Sequence, residues 1–166
     1  MTYDLTFADL QTQTYAVVDL EVDSPEAIGA LIGPAFEEVA RVVAAQGLTM
    51  TGPPAAHYFP GATTWRVVAG FPVAGMVRPE GRVRGEIRPG GRVVLTTHTG
   101  PYDTLTAAYS AARDYAVDNG HVCDDDSWEV YLDMPDVPRP RTEVLVPCRL
   151  VEPRHAGSAS GTVPTP

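Results

Sequence analysis

The chain has 166 residues, 44% of them hydrophobic, and a formal net charge of −9. That length fits one domain with a real core, and the acidic balance argues against a nucleic-acid partner, which needs clustered Lys or Arg against phosphates. No apolar run is long enough to span a bilayer, and Met1 to Leu20 lacks a basic segment followed by an apolar one, so a cytoplasmic protein with no signal peptide and no membrane partner is expected.

Thr14 to Val22 reads as the first strand. Ser24-Pro25-Glu26 is a helix start, with Ser24 as candidate cap and Pro25 at the first helical position. Pro34 restarts a helix, and Phe36, Val39, Ala40 and Val43 recur at i, i+3, i+4 and i+7 on one apolar face. Gly47 is its stop. A Gly-Pro-Pro turn leads to strands at Ala56–Phe59 and Thr63–Ala69. Arg78, Arg82, Arg84, Arg88 and Arg92 lie along a Gly- and Pro-rich stretch that reads as a solvated loop and turn face, with Gly90-Gly91 as a hairpin turn. A strand follows at Arg92–His98, stopped by Gly100-Pro101. A helix is expected from about Asp103 to Asn119, with Leu105, Ala108, Tyr109, Ala112 and Ala116 on one face and Gly120 as its stop. Asp124 to Ser127 is a turn before a strand at Trp128–Leu132, a loop at Pro135–Pro140 and a strand at Glu143–Leu150.

Each half thus reads as strand, helix, strand, strand. The expected fold is α+β: duplicated units, at about 11–73 and 92–150 within a domain of residues 1–151, joined edge to edge into one antiparallel sheet. Both helices cover one face. The other face is expected to be concave and to hold a ligand cavity. Residues 152–166, rich in Ser, Gly, Thr and Pro, read as a disordered tail. In this alignment Tyr58 matches Tyr131 and Ala56 matches Glu129.

Glu129 is an unusual residue between Trp128 and Tyr131, because strands tend to exclude Glu. It faces water, or it faces a pocket that wants a negative charge. Tyr131 shares its face, since strand side chains alternate. Tyr58 and Tyr131 each read as core or cavity wall. Trp65 alternates against Arg66 and so points inward, to core or cavity. Tyr102, where a strand gives way to a helix, closes one end of a cavity or anchors packing. Phe71 belongs to the strand that closes the first unit. His98 is a tempting general base but reads as structural. His57 and His121 lack companions at ligand spacing, so no metal and no cofactor is expected. Cys123 and Cys148 match no zinc pattern and read as reduced thiols, with a disulfide left open because sequence gives no distance. Ser110 and Ser127 lack a nucleophile-elbow context.

Several segments in order resemble the GyrI-like small-molecule-binding domains, which also form the effector-binding part of AraC-type and MerR-type multidrug regulators. They are Gly70-Phe71-Pro72-Val73, His98-Thr99-Gly100-Pro101-Tyr102, the helix with Tyr109, Trp128-Glu129-Val130-Tyr131 with Pro135 downstream, and Thr142-Glu143-Val144 leading to Val146-Pro147. The match runs roughly from Gln11 to Leu150. The resemblance implies a duplicated fold of SHS2-type repeats around a cavity for flat, hydrophobic and often cationic molecules. In the regulators a pocket Glu contacts the cationic drug, and Glu129 lies at the matching position. Some stand-alone members resemble hydrolases of cyclopropane-bearing DNA-alkylating compounds, with a catalytic Glu helped by aromatic hydroxyls; Glu129 and Tyr131 would take those roles. The stretch before Gln11 is too short for a helix-turn-helix, so a free-standing member is expected.

Three functions follow in order of preference: a binder of hydrophobic or cationic aromatic small molecules that sequesters or senses them, with an unidentified regulator as partner; a hydrolase of strained electrophiles; and an inhibitor of a topoisomerase. The ligand-binding set is Glu129, Tyr131, Tyr58, Trp65, Tyr102 and Phe71.

Overall fold

The computed structural model describes residues 2–134 and 136–152. Pro135 and the tail beyond Glu152 lie outside the described residues. Ten strands form one antiparallel sheet: β1 (Thr6–Leu10), β2 (Gln13–Val22), β3 (Thr49–Met50), β4 (Ala55–Pro60), β5 (Trp65–Ala74), β6 (Arg84–Arg88), β7 (Gly91–Thr99), β8 (His121–Cys123), β9 (Ser127–Tyr131) and β10 (Arg141–Leu150). Two helices complete it, α1 (Ile28–Ala45) after β2 and α2 (Thr106–Asp118) after β7. A 3-10 turn precedes each, at Pro25–Ala27 and Tyr102–Thr104. The α+β class with one antiparallel sheet stands as expected.

The strand order is β1-β7-β10-β9-β4-β5-β2-β6, with β3 on β5 and β8 on β10. It reads alike from both ends about the central β4–β9 pair, where Ala56 lies directly opposite Glu129. Each unit gives its first strand to the other: β1 pairs with β7, and β6 pairs with β2. Only Gln11-Thr12 links β1 to β2, and only Pro89-Gly90 links β6 to β7. In a flat sheet the six spacings between β1 and β2 would be about 29 Å, while three Cα steps reach about 11 Å. The sheet therefore curls until its two ends approach. The links touch where they cross: a Cβ on Gly90 would stand 2.7 Å from the Leu10 carbonyl oxygen. Gly90-Gly91 is thus a crossover and not a hairpin turn, because β6 and β7 pair with other strands.

Curling buries both faces. On the helix face Ala16, Val18, Val67 and Ala69 pack against Val39 and Val43 of α1. Val94, Val144 and Val146 pack against Ala108, Ala112 and Ala116 of α2. Both helices therefore cover one face. The opposite face carries Tyr15, Val17, Val68, Trp128 and Leu145, which form a core of their own inside the curl. This corrects the expected cavity position. The helix-free face is filled, and the cavity lies on the helix side. Arg88, expected in a solvated loop, belongs to β6; it donates to the Tyr15 hydroxyl at 3.0 Å and lies over the Tyr15 and Trp128 rings.

The helix expected to restart at Pro34 is one continuous helix of 18 residues. Proline removes one N–H bond and leaves a carbonyl free one turn earlier, and that carbonyl belongs to Ala30, which is exposed to water. Within β5, Gly70 faces Val17 across the pairing. A Cβ there would stand 1.8 Å from the Ala16 carbonyl oxygen. Gly70→Ala should therefore cost about 3 kcal/mol, the upper range for forced overpacking, read as a lower urea midpoint at constant slope. Gly29→Ala in α1, where a Cβ meets nothing within 4 Å, should instead stabilise by about 0.5–1 kcal/mol. Equal effects at the two positions would contradict this packing.

Candidate functional site

The two helices sit over their own units and leave a gap above the central β4–β9 pair. A cavity of about 1170 Å³ fills it. One wall is the first half of α1, with Ile28, Gly29, Ile32, Gly33 and Phe36; the other is Tyr102, Leu105, Tyr109 and Arg113 around α2. The floor holds Tyr58 of β4, Trp65 and Phe71 of β5, and Glu129 and Tyr131 of β9. All six residues of the expected ligand-binding set line this one space.

Local sequence explains the floor. Glu129 and Tyr131 point to the helix face by alternation, and Trp128 points to the second core, 4.2 Å from the stacked His57 ring. Ala56 opposite Glu129 is small. The Tyr58 and Tyr131 rings lean in from either side of that pair, and their hydroxyls meet at 2.6 Å. The Tyr131 hydroxyl donates to Glu129 Oε2 at 2.7 Å, and the Tyr109 hydroxyl donates to Oε1 at 2.5 Å. With Tyr131 donating to the carboxylate, its oxygen accepts from Tyr58. Three phenols thus serve one carboxylate, two directly and one through a neighbour. Around them Phe36 meets Phe71 and Tyr131 at ring distances of 5.7 Å each, edge to face. Tyr102, 39% exposed, stands edge-on to Tyr131 at 5.9 Å.

Glu129 is 7% exposed. Burial pushes its carboxyl above the usual carboxylate range, while the hydrogen bonds from Tyr109 and Tyr131 pull it back only in part. Burial, and then the Glu129 charge, push Tyr58, Tyr131 and Tyr109 well up, so all three keep their protons. Toward solvent the lining adds Glu37, Asp125 and Asp133 against one cation, Arg113. Arg113 donates to the carbonyls of Asp124 and Asp125 and holds that loop. The cavity is therefore apolar in its walls, with one buried acid on its floor and more acid at its mouth.

His98 is wholly buried behind this site. Its Nδ1 meets the Tyr3 hydroxyl at 3.0 Å and its Nε2 the Thr104 hydroxyl at 3.0 Å, so it ties the end of β7 to the turn before α2. The structural reading of His98 fits these contacts. Among the described residues no group of three or more His, Cys, Asp or Glu is placed to hold a metal, and no helix is long and apolar enough to cross a membrane.

A family model for the GyrI-like small molecule binding domain matches residues 4–149. The chain belongs to that family. Solved structures of similar fold include the C-terminal domain of EcmrR, at 23% identity and a TM-score of 0.76, covering 91% of this chain and 100% of that one. The GyrI-like chain spans 58% of the longer EcmrR chain solved in a complex with DNA, at 24% identity, 90% coverage of this chain and a TM-score of 0.75. SAV2435 bound to tetraphenylphosphonium is similar at 10% identity and a TM-score of 0.60, covering 90% of this chain and 94% of that one. A hydrolase encoded by lin2189 from Listeria innocua is similar at 12% identity and a TM-score of 0.61, over 88% of this chain and 92% of that one. No curated protein matches the chain. At these identities the likeness to solved structures speaks for the fold.

The sequence reading leaves Tyr109, Phe36 and Ile32 out of the site. For Tyr109 a signal exists: it is the one large polar-tipped residue on a helix face otherwise built of Leu105, Ala108, Ala112 and Ala116. A bulky ring beside an alanine stripe cannot lie flat on the sheet, so it reaches past it. Phe36 reads from its spacing only as part of an apolar helix face, and periodicity does not separate core from cavity.

The raised pKa of Glu129 has a stability consequence. A carboxyl that holds its proton more tightly when folded favours the fold at low pH, and that contribution declines as pH rises from about 4.3 through the native value. Glu129→Gln removes the titration. The stability difference between variant and wild type, from urea midpoints across about pH 4–8, should shift in favour of the variant as pH rises. Parallel curves would show that Glu129 is not desolvated in solution.

Proposed function

We propose that this GyrI-like domain binds hydrophobic, cationic aromatic molecules, of the kind that multidrug-responsive proteins sequester or sense. The observation that carries this reading is Glu129: a buried carboxylate on the floor of an apolar cavity, hydrogen-bonded to phenols and, among the described residues, unpaired with any Arg. A buried charge without a counter-ion is costly, and an entering organic cation supplies one. Phe36, Phe71, Trp65 and Tyr102 offer ring faces and edges for flat ligands and cations. The acid-rich mouth raises the local concentration of cations. The tetraphenylphosphonium complex of a protein with this fold agrees with that chemistry.

Calorimetric titration with tetraphenylphosphonium and with uncharged triphenylphosphine oxide tests it. Glu129→Gln should weaken the cation by about 10- to 100-fold, the equivalent of about 1–3 kcal/mol for a charged partner lost. The neutral compound should lose less than about threefold. Equal losses would sink the charge argument, and absence of binding by both would sink the ligand class.

The acid itself supports a second reading. A carboxyl that burial makes a stronger base, beside protonated phenols, suits general acid–base chemistry. In a strained cyclopropane conjugated to a carbonyl, Glu129 would take a proton from water as the water oxygen bonds to a ring carbon. The ring C–C bond would break, its electron pair passing into the conjugated system, and Tyr131 would steady the charge that develops on the carbonyl oxygen before protonation. Mass analysis after incubation with such an electrophile should then show the gain of one water. Glu129→Gln should abolish that gain and Tyr131→Phe should slow it with binding nearly intact. Turnover that survives Glu129→Gln would refute this mechanism.

A further inference from the structure

We propose that Cys123 and Cys148 form a reversible disulfide site, oxidised by low-molecular-weight disulfides, that covalently closes the loop carrying β9. The sequence leaves this pair open; the register decides it. Cys148 lies directly opposite Cys123 in the β10–β8 pairing. Hydrogen bonds fix the type of pair. The Asp124 N–H donates to the Pro147 carbonyl at 2.9 Å, and the Val151 N–H donates to the Gly120 carbonyl at 3.0 Å. Antiparallel pairs alternate, so counting inward from both bonds makes Cys123–Cys148 a non-hydrogen-bonded pair. Such pairs bring Cα atoms to about 4.5 Å with side chains close together, inside the window of about 4.4–6.8 Å that a disulfide tolerates.

Both thiols point the same way. Cys148, 7% exposed, belongs to the core beneath α2, and Cys123 packs on that core from its edge. Both are free thiols in this structure. The strand that must adjust, β8, has three residues and pairs only with β10, so the small shift a bond needs meets little resistance. Neither cysteine lines the cavity, and the proposal does not rest on the ligand reading.

The reaction balances with one small disulfide, RSSR. The half-buried Cys123 thiol loses its proton to solvent, and its thiolate attacks one sulfur of RSSR, giving a mixed disulfide and RS⁻. The Cys148 thiol then loses its proton and attacks Cys123 Sγ, expelling the second RS⁻. Both thiolates take up protons as RSH. Two protein thiols are oxidised and one RSSR is reduced. Burial pushes both thiols up, and their shared position adds to this for Cys148, while Arg113 and Arg92 pull the other way and Asp124 and Asp9 oppose them. Exchange should therefore be slow at neutral pH, and the bond once formed closes the segment that holds Glu129 and Tyr131.

The full chain, reduced and freed of reductant, is incubated with oxidised glutathione at about pH 8.5, quenched in acid, alkylated with N-ethylmaleimide and weighed intact. The expected product is a monomer two hydrogens lighter that takes no maleimide, yields a Cys123–Cys148 cross-linked peptide, and regains two labelling sites with dithiothreitol. Its Tm should rise by about 5–10 °C over the reduced chain, as for a loop of this size. Two maleimide labels after prolonged incubation, glutathione held separately on the two cysteines, or a disulfide-linked dimer would each overturn the proposal. Cys123→Ser, at the more exposed position, should remain a monomer of unchanged Tm under the same oxidant. A comparable Tm rise in that variant would also overturn it.

Discussion

Gln11-Thr12 and Pro89-Gly90 are links of two residues each, and the shape of the sheet depends on them. Each must join strands that stand six places apart in the sheet. The chain cannot stretch that far, so the sheet bends. Bending brings Tyr15, Val68, Trp128 and Leu145 together on the concave side and leaves no room for a ligand there. The large cavity then lies on the convex side, between two helices that each cover their own unit. The exchanged strands β1 and β6 hold this geometry, because each begins one unit and is held by the other.

The symmetry of the sheet puts one residue pair at its centre, and that pair is not symmetric. Ala56 occupies one side and Glu129 the other. A second Glu in place of Ala56 would set two buried carboxylates side by side, and one would have to stay protonated. A second Ala would leave the three phenols without an acceptor. With one of each, the methyl side gives the Tyr58 and Tyr131 rings space to lean in, and the acid side gives their hydroxyls a target. Duplication supplies the frame, and the single departure from it supplies the charge.

Much of this frame was legible in the sequence. The strands β2, β7, β9 and β10 follow from apolar runs, and α2 follows from its alanine stripe and from Gly120, which adopts a φ of 72° just past its end. The match between Tyr58 and Tyr131 pointed to two residues whose hydroxyls now meet. What escaped has physical reasons. Thr6–Leu10 and Arg84–Arg88 are edge strands, half exposed, with charged or small residues between the apolar ones. Such strands carry little hydrophobic signal, and their partners are not their sequence neighbours. Without the exchange the curl is invisible, and without the curl the helix-free face looks open. That is why the cavity is expected on the helix-free face, although the residues expected to line it do share one space. Phe36 and Tyr109 stand on helices, where one apolar face serves both core and cavity.

The floor also sets what the site can do best. A carboxylate has about four acceptor positions on its two oxygens, and phenols occupy one on each oxygen here. The remaining positions can meet a cation at no cost to the network, since a cation takes charge density without displacing a proton. A water acting as nucleophile asks more. It must donate to Glu129 and lie in line with an electrophilic carbon, and as Glu129 gains the proton its two phenol donors lose an ionised acceptor. Charged hydrogen bonds are roughly twice as strong as neutral ones, so the network that steadies the anion resists its protonation. Binding uses the site as it stands. Catalysis must work against part of it, and the strain of the substrate would have to make up that difference.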